Sequence, residues 1–264
     1  MGRSGTTLVQ RLLNSSKEVV IFGENRQFVE YAPPLVMQSI STHLHNGVDM
    51  DRIREKFRSQ GGESWEMNRL WPDTLAYADC TVRWFQDLVQ VYQRSAEELG
   101  HQRWGIKHPV GRLEPLDQLR QLLPGGRYIY VYRDLIATAR SAKARGFVDA
   151  DGMEGFGRGW ACNLEPALDR VQENFMLLRY EDLVSNPTAW IEAISLFTDV
   201  QGMDASVMER KINVHQKVVE SSYVEPAPVS GAEIEALVRG GGSTLVRAGY
   251  GRGGPASLLG SGER

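Results

Sequence analysis

Six residues at the start of the chain, Gly2-Arg3-Ser4-Gly5-Thr6-Thr7, stand directly before Leu8, Val9, Leu12 and Leu13, which recur at helical spacing. A loop of this composition at a helix start concentrates backbone N–H groups, hydroxyls and a cation around one point. That is what the oxygens of a phosphate or sulfate require. The same residues would also serve as an ordinary glycine-containing N-cap. A Walker A loop needs four residues between its glycines and then Lys. Neither condition is met here, so triphosphate hydrolysis is disfavoured.

A second anion loop is suggested where the apolar run Tyr128-Ile-Tyr-Val-Tyr132 ends in Arg133-Asp134, with Ser141 eight residues after Arg133. At about 1.5 Å per residue, Ser141 lies roughly 10 Å along the following helix, within reach of a folded-back Arg. An ion pair or an N-cap is the alternative use of Arg133-Asp134. Open α/β sheets bind ligands at the carboxyl ends of their strands, which favours the anion reading when two such loops occur together. Arg145, twelve residues after Arg133, is a third candidate cation for this loop.

These loops need elements to hold them. Val19–Phe22 predicts a strand, and Arg26 to about Gln38, Asp51–Arg58 and Val82–Leu99 predict helices, the last with Trp84, Leu88, Val91 and Tyr92 on one face. The run bracketed by Arg127 and Arg133 reads as a fully buried strand, followed by a helix capped by Asp134 and another over Phe156–Glu173. Phe175–Leu178 predicts the next strand. Strand and helix in alternation imply a parallel α/β sheet. One domain over residues 1–250 and a flexible tail over 251–264 are expected, because the chain turns glycine-rich from Gly240.

Composition narrows the functions. The 264 residues carry 30 Lys plus Arg against 33 Asp plus Glu, a formal charge of -3, so no general basic field would hold nucleic acid. Any anion must be bound by local groups. Cys80 and Cys162 cannot build a disulfide framework, which suggests a reducing compartment, and they read as small apolar residues. No run of 18 apolar residues occurs. A cytoplasmic protein with no membrane partner is expected. The five histidines show no metal-ligand spacing, so no metal is expected.

Gly2-Arg-Ser-Gly-Thr-Thr-Leu8 resembles the 5′-phosphosulfate loop of the sulfotransferases that use 3′-phosphoadenylyl sulfate (PAPS). Tyr128-Ile-Tyr-Val-Tyr-Arg-Asp134 with Ser141 resembles their 3′-phosphate motif, and Leu178-Arg-Tyr-Glu-Asp-Leu-Val184 with Asn186-Pro187 resembles a later Arg-Tyr-Glu-Asp-Leu segment. The likeness extends over about seven tenths of the chain and is greatest to the tyrosylprotein sulfotransferases of the soluble, bacterial type. It implies a P-loop-like parallel sheet flanked by helices, the sulfotransferase fold. Family members place a strand directly before the cradle, whereas only Met1 and Gly2 precede Arg3. The expectation is a first strand that is truncated, or a start lying upstream.

The resemblance assigns roles. Arg3, Ser4, Gly5, Thr6 and Thr7 would bind the phosphosulfate end of the donor; Arg133, Ser141 and Arg145 its 3′-phosphate; and Tyr180 the nucleotide. Gly23-Glu24-Asn-Arg26 occupies the place of the family's base, making Glu24 the match, and Trp104-Gly-Ile-Lys-His-Pro109 makes Lys107 the match to the catalytic Lys. Glu220-Ser-Ser-Tyr223 resembles a late serine-containing segment, in which Ser221 or Ser222 supplies a hydroxyl. Sulfuryl transfer builds charge on the bridging oxygen, so Arg3, Lys107 and Ser222 or Ser221 are expected to stabilise it, as cations do for phosphoryl groups. A phenol near pKa 10 needs a carboxylate within about 3 Å to take its proton, the part expected of Glu24. Glu24 could alternatively be a first-turn helix charge, Lys107 a surface lysine and Trp160 a core residue. The implied partner is a tyrosine peptide with acidic flanks read by Arg26, and a homodimer is compatible with the pattern. Sulfation of a sugar or small-molecule hydroxyl is the alternative, and a nucleotide-binding protein without turnover is the alternative of another class.

Overall fold

The structure, a computed structural model, describes residues 4–46, 49–61, 70–109, 113–170, 172–209 and 225–250. Arg3, Ser221, Ser222 and the expected tail at 251–264 lie outside the described residues. In chain order the elements are α1 (Thr6–Asn14), β1 (Val19–Phe22), a π-helical turn (Gln27–Tyr31), α2 (Ala32–Asn46), α3 (Met50–Gln60), α4 (Thr74–Glu98), β2 (Arg103–Ile106), α5 (Glu114–Leu122), β3 (Tyr128–Tyr132), α6 (Leu135–Lys143), α7 (Met153–Leu168), β4 (Phe175–Arg179), α8 (Tyr180–Ser185), α9 (Pro187–Thr198), a 3-10 turn (Ala205–Met208) and α10 (Gly231–Arg247). They group into two compact units, one drawn from Met1–Glu24, Gly105–Leu113 and Gly125–Arg264, the other from Asn25–Trp104 and Glu114–Pro124.

The first unit is the α/β part. β3 and β4 pair in parallel, from Tyr128 beside Phe175 to Tyr132 beside Arg179. The helical crossover α6–α7 joins them, as a parallel pair requires. β1 and β2 form a separate two-stranded sheet. The apolar stripe of α1 buries Val9, Leu12 and Leu13 with Val19, Val131, Leu178, Leu183, Ile194 and Val200 in one core. This mixed α/β architecture with parallel strands flanked by helices is the one expected. β3 departs from the reading in one respect: only Val131 is buried, because β4 is its one ladder neighbour among the described residues.

The glycine-rich stretch at 240–242 lies within α10, which kinks at Gly242, where φ is 52° and ψ is -143°. Ser230 and Glu233 close a capping box at its start, satisfying two otherwise orphaned N–H groups. Gly240 and Gly241 then let α10 lie against Gly157 of α7. A Cβ on Gly157 would stand 2.5 Å from the Leu237 carbonyl oxygen, and one on Gly240 would stand 2.8 Å from the Arg158 nitrogen. These glycines remove side chains from a helix contact.

The second unit is helical. α4 packs on α2, and α5 on α2 and the π turn. Asp73 caps α4 by accepting from the Leu75 and Ala76 N–H groups, so the helix starts eight residues earlier than read from its apolar pattern. Its inward line is also different: Ala78, Phe85 and Ala96 are buried, whereas Trp84 and Val91 are 42% and 50% exposed. Both sets fit a 3.6-residue period. The ring cluster of Phe28, Phe85, Tyr92 and Trp104 selects between them, with Tyr92 stacked on Trp104 at 4.8 Å. The π-helical turn closes with the Ala32 N–H on the Gln27 carbonyl, and α2 then carries Pro33 and Pro34 in its first turn, where a missing N–H is tolerated. Cys80 and Cys162, read as small apolar residues, are both free and exposed. Among the described residues no helix is long and apolar enough to cross a membrane.

Candidate active site

Gly5 stands at the N-cap of α1 with φ 96° and ψ 6° and provides no side-chain cap. This left-handed conformation suits glycine, and the bare cap leaves the first-turn amides to another acceptor. Ser4 beside it is buried. A second requirement for glycine comes from the far end of the unit: a Cβ on Gly5 would collide with the ring of Tyr180, its Cγ included at 3.1 Å. Arg133 meets the same ring, its guanidinium 4.5 Å from the Tyr180 centroid. Thus the two anion loops read from the sequence meet at one aromatic ring.

Arg133 follows directly on β3. Its Nε is buried with no hydrogen-bond partner among the described residues, an uncommon state for a buried donor and one that a bound anion would relieve. Its carbonyl accepts from the Trp160 indole N–H at 3.0 Å, and Trp160 is buried on α7. Trp160 is therefore a core residue that also fixes this loop. Asp134 does act as an N-cap, accepting from the Ala137 N–H at 2.7 Å. Burial holds its carboxyl above the ordinary range, opposed by that N–H and reinforced by the charge of Glu181. Capping thus uses Asp134, and Arg133 takes no part in it. Ser141 is buried on α6, and Arg145 comes just after that helix.

Glu24 and Lys107, separated by 83 positions, form an ion pair in which Nζ donates to Oε1. Strand pairing brings them together: Lys107 N–H, one residue past β2, donates to the carbonyl of Phe22 at 3.0 Å. Lys107 has only 16% of its side chain exposed, against 51% for Glu24, so Lys107 is no surface lysine, while Glu24 lies in the loop between β1 and the π-helical turn, outside any helical turn. β1 is in turn held to the cradle helix. Asn14 receives the Ile21 N–H at 2.5 Å and donates to the Ile21 carbonyl at 3.2 Å, while Gln10 donates to that carbonyl at 2.9 Å. In the second unit, Arg26 is exposed and pairs with Glu30 at 3.0 Å.

Two members of the Arg133 surroundings carried no role in the sequence reading. Glu181 Oε1 accepts from the Asp134 N–H at 3.0 Å, and its Oε2 from the Tyr250 hydroxyl at 2.7 Å. Glu181 belonged to a recognised segment. Tyr250 follows the glycine-rich stretch, where nothing in the local pattern pointed to the site.

The sulfotransferase family profile matches residues 1–205. The chain belongs to the sulfotransferase family. The matched region takes in the cradle, Glu24, Lys107, Arg133, Ser141 and Tyr180, and leaves out Ser221, Ser222 and α10. None of the curated proteins compared with this sulfotransferase matches it.

Proposed function

We propose that this sulfotransferase moves the sulfuryl group of PAPS to the phenol of a peptide tyrosine. The observation that carries the donor half is the Tyr180 ring, shared by Gly5 and Arg133. A donor with an anionic group at each end needs two anion loops close together, and these residues fit it: the Gly5 cradle has no room for a Cβ, and the Arg133 Nε has no hydrogen-bond partner among the described residues. Ser4, Thr6 and Thr7, with Arg3, would hold the phosphosulfate end, and Arg133, Ser141 and Arg145 the 3′-phosphate. When bound, the donor supplies a sulfuryl group activated by its phosphate anhydride.

The acceptor half is assigned to Glu24 and Lys107. Lys107 engages one carboxylate oxygen of Glu24, and a carboxylate accepts at either oxygen. The second can take the phenol proton, while the ammonium group faces the charge that develops as the bond to sulfur is exchanged. Arg3 and one of Ser221 and Ser222 complete that charge stabilisation. Arg26 would exchange Glu30 for an acidic residue flanking the target tyrosine, an exchange made easy by the low worth of an exposed ion pair.

The test is transfer of radiolabelled sulfate from PAPS to a panel of acidic tyrosine peptides, simple phenols and sugars. Label on tyrosine is the expected result. Label on sugars alone would overturn the acceptor. Retained binding of adenosine 3′,5′-bisphosphate with no transfer to any acceptor would replace the enzyme with a nucleotide-binding protein.

A further inference from the structure

Tyr250 lies 45 residues beyond the end of the family match at residue 205, yet its side chain reaches the groups that hold Arg133. α10 ends in a Schellman arrangement. The N–H of Tyr250 bonds the Leu245 carbonyl at 2.9 Å, that of Gly249 bonds the Val246 carbonyl at 3.0 Å, and Gly249 has φ 83°. This cap turns the chain sharply and fixes where the phenol goes. The hydroxyl donates to Glu181 Oε2 at 2.7 Å. The ring is packed on three sides, by the Arg179 guanidinium at 4.3 Å, the Tyr132 ring at 6.2 Å and the Trp160 ring at 6.2 Å. Burial, with the Glu181 carboxylate adding to it, pushes the phenol well above its ordinary pKa, so it stays a donor.

We infer that Tyr250 and Glu181 are positioning residues for the 3′-phosphate subsite, Tyr250 acting through Glu181 and Trp160 on the Arg133 loop. This rests on the donor reading above. Among the bonds that hold the loop are those from the Trp160 indole to the Arg133 carbonyl and from the Asp134 N–H to Glu181 Oε1. Tyr250 touches the group at the origin of each. Its hydroxyl, with Arg179 Nε at 3.6 Å from Oε2, also offsets the carboxylate charge of Glu181. That charge would otherwise lie beside a site meant for an anion. A segment outside the matched region thereby sets how firmly the donor's 3′-phosphate is gripped.

The experiment compares Tyr250→Phe with the parent by calorimetric titration of two probes, adenosine 3′,5′-bisphosphate and adenosine 5′-monophosphate. Phenylalanine keeps the ring contacts and removes only the hydroxyl. The parent is expected to favour the bisphosphate. In Tyr250→Phe that preference falls roughly five- to tenfold, part of the worth of one hydrogen bond to a charged group because the effect reaches the phosphate through Glu181, with monophosphate affinity changed by less than about twofold. Glu181→Ala behaves likewise, and Glu181→Gln, which can still accept from Asp134, restores part of the preference. If Glu181→Ala does not fold, Tyr250→Phe decides alone. A parent that favours the bisphosphate with Tyr250→Phe unchanged, or with both probes weakened equally, overturns this inference and leaves the donor reading standing. A parent with no preference between the probes overturns the donor reading itself.

Discussion

At the scale of single residues, the Glu24–Lys107 pair separates the chemical assignment from a structural one. Glu24→Gln keeps the shape and a hydrogen-bond acceptor for Lys107 but loses proton affinity. Turnover is expected to fall on the order of 10²–10⁴-fold, the contribution of a general base, with bisphosphate affinity preserved in a calorimetric titration. Equal loss of both would make the pair a structural contact. Arg133→Ala should show the opposite profile: bisphosphate affinity weakened about ten- to a hundredfold, as expected of a charge-assisted bond, and monophosphate affinity little altered. Tyr130, whose hydroxyl donates to the Asn163 carbonyl at 2.9 Å, reports on the core below β3. Burial pushes its phenol up to about 12, against about 10 for an unfolded chain. Its neutral form is the one the fold keeps, so its contribution to stability is complete below pH ~10 and is lost as pH rises from there towards 12. Alkaline denaturation scans should show that loss, and Tyr130→Phe should flatten it.

Between elements, α7 and α10 approach each other closely, and glycine allows it. Gly240→Ala should destabilise by about 1–3 kcal/mol, the usual effect of overpacking a tight contact. Gly155→Ala, two positions before Gly157 on the same helix but facing open space, should instead stabilise by up to about 1 kcal/mol through helix propensity. Opposite shifts in denaturation midpoint would confirm the packing, and shifts of one sign would refute it. The start of α10 is tied to α6 by Lys143, whose Nζ donates to Glu233 Oε1 at 2.6 Å. Lys143 foremost, with the Ser230 N–H, holds the Glu233 carboxyl below its ordinary value. This tie persists through neutral pH and fails only on acidification below the ordinary Glu value of about 4.3.

For the molecule as a whole, the formal charge of -3 at pH 7 means that a donor anionic at both ends would be attracted only by the cations facing it. Long-range steering is absent, so duplex DNA should give no mobility shift at physiological salt, where a protein bound through phosphates would. A shift at that salt would reveal a basic surface that composition conceals. The chain passes between its two units after Glu24, Trp104, Leu113 and Pro124. Glu24 and Lys107 therefore sit at or near such crossings, Glu24 as the last residue before one and Lys107 soon after another.

The two candidate anion loops were legible before any fold was known, because a loop of this kind is a local object. A glycine with positive φ, hydroxyls and a helix start occur within six positions, and a strand ending in Arg133-Asp134 is equally local. Helix caps such as Asp134 and the parallel pairing of β3 with β4 also follow from nearby sequence. What the tertiary structure alone decided were contacts between distant segments. Tyr180 between Gly5 and Arg133, Lys107 on Glu24, α10 seated on Gly157, and Tyr250 on Glu181 join positions whose local patterns do not refer to each other. The inward face of α4 belongs with them, since two faces satisfied one periodicity and the rings of Phe28 and Trp104 chose between them. Periodicity and motif record what a segment can do within a few turns of itself, whereas side-chain packing depends on which surfaces the folded chain brings to meet.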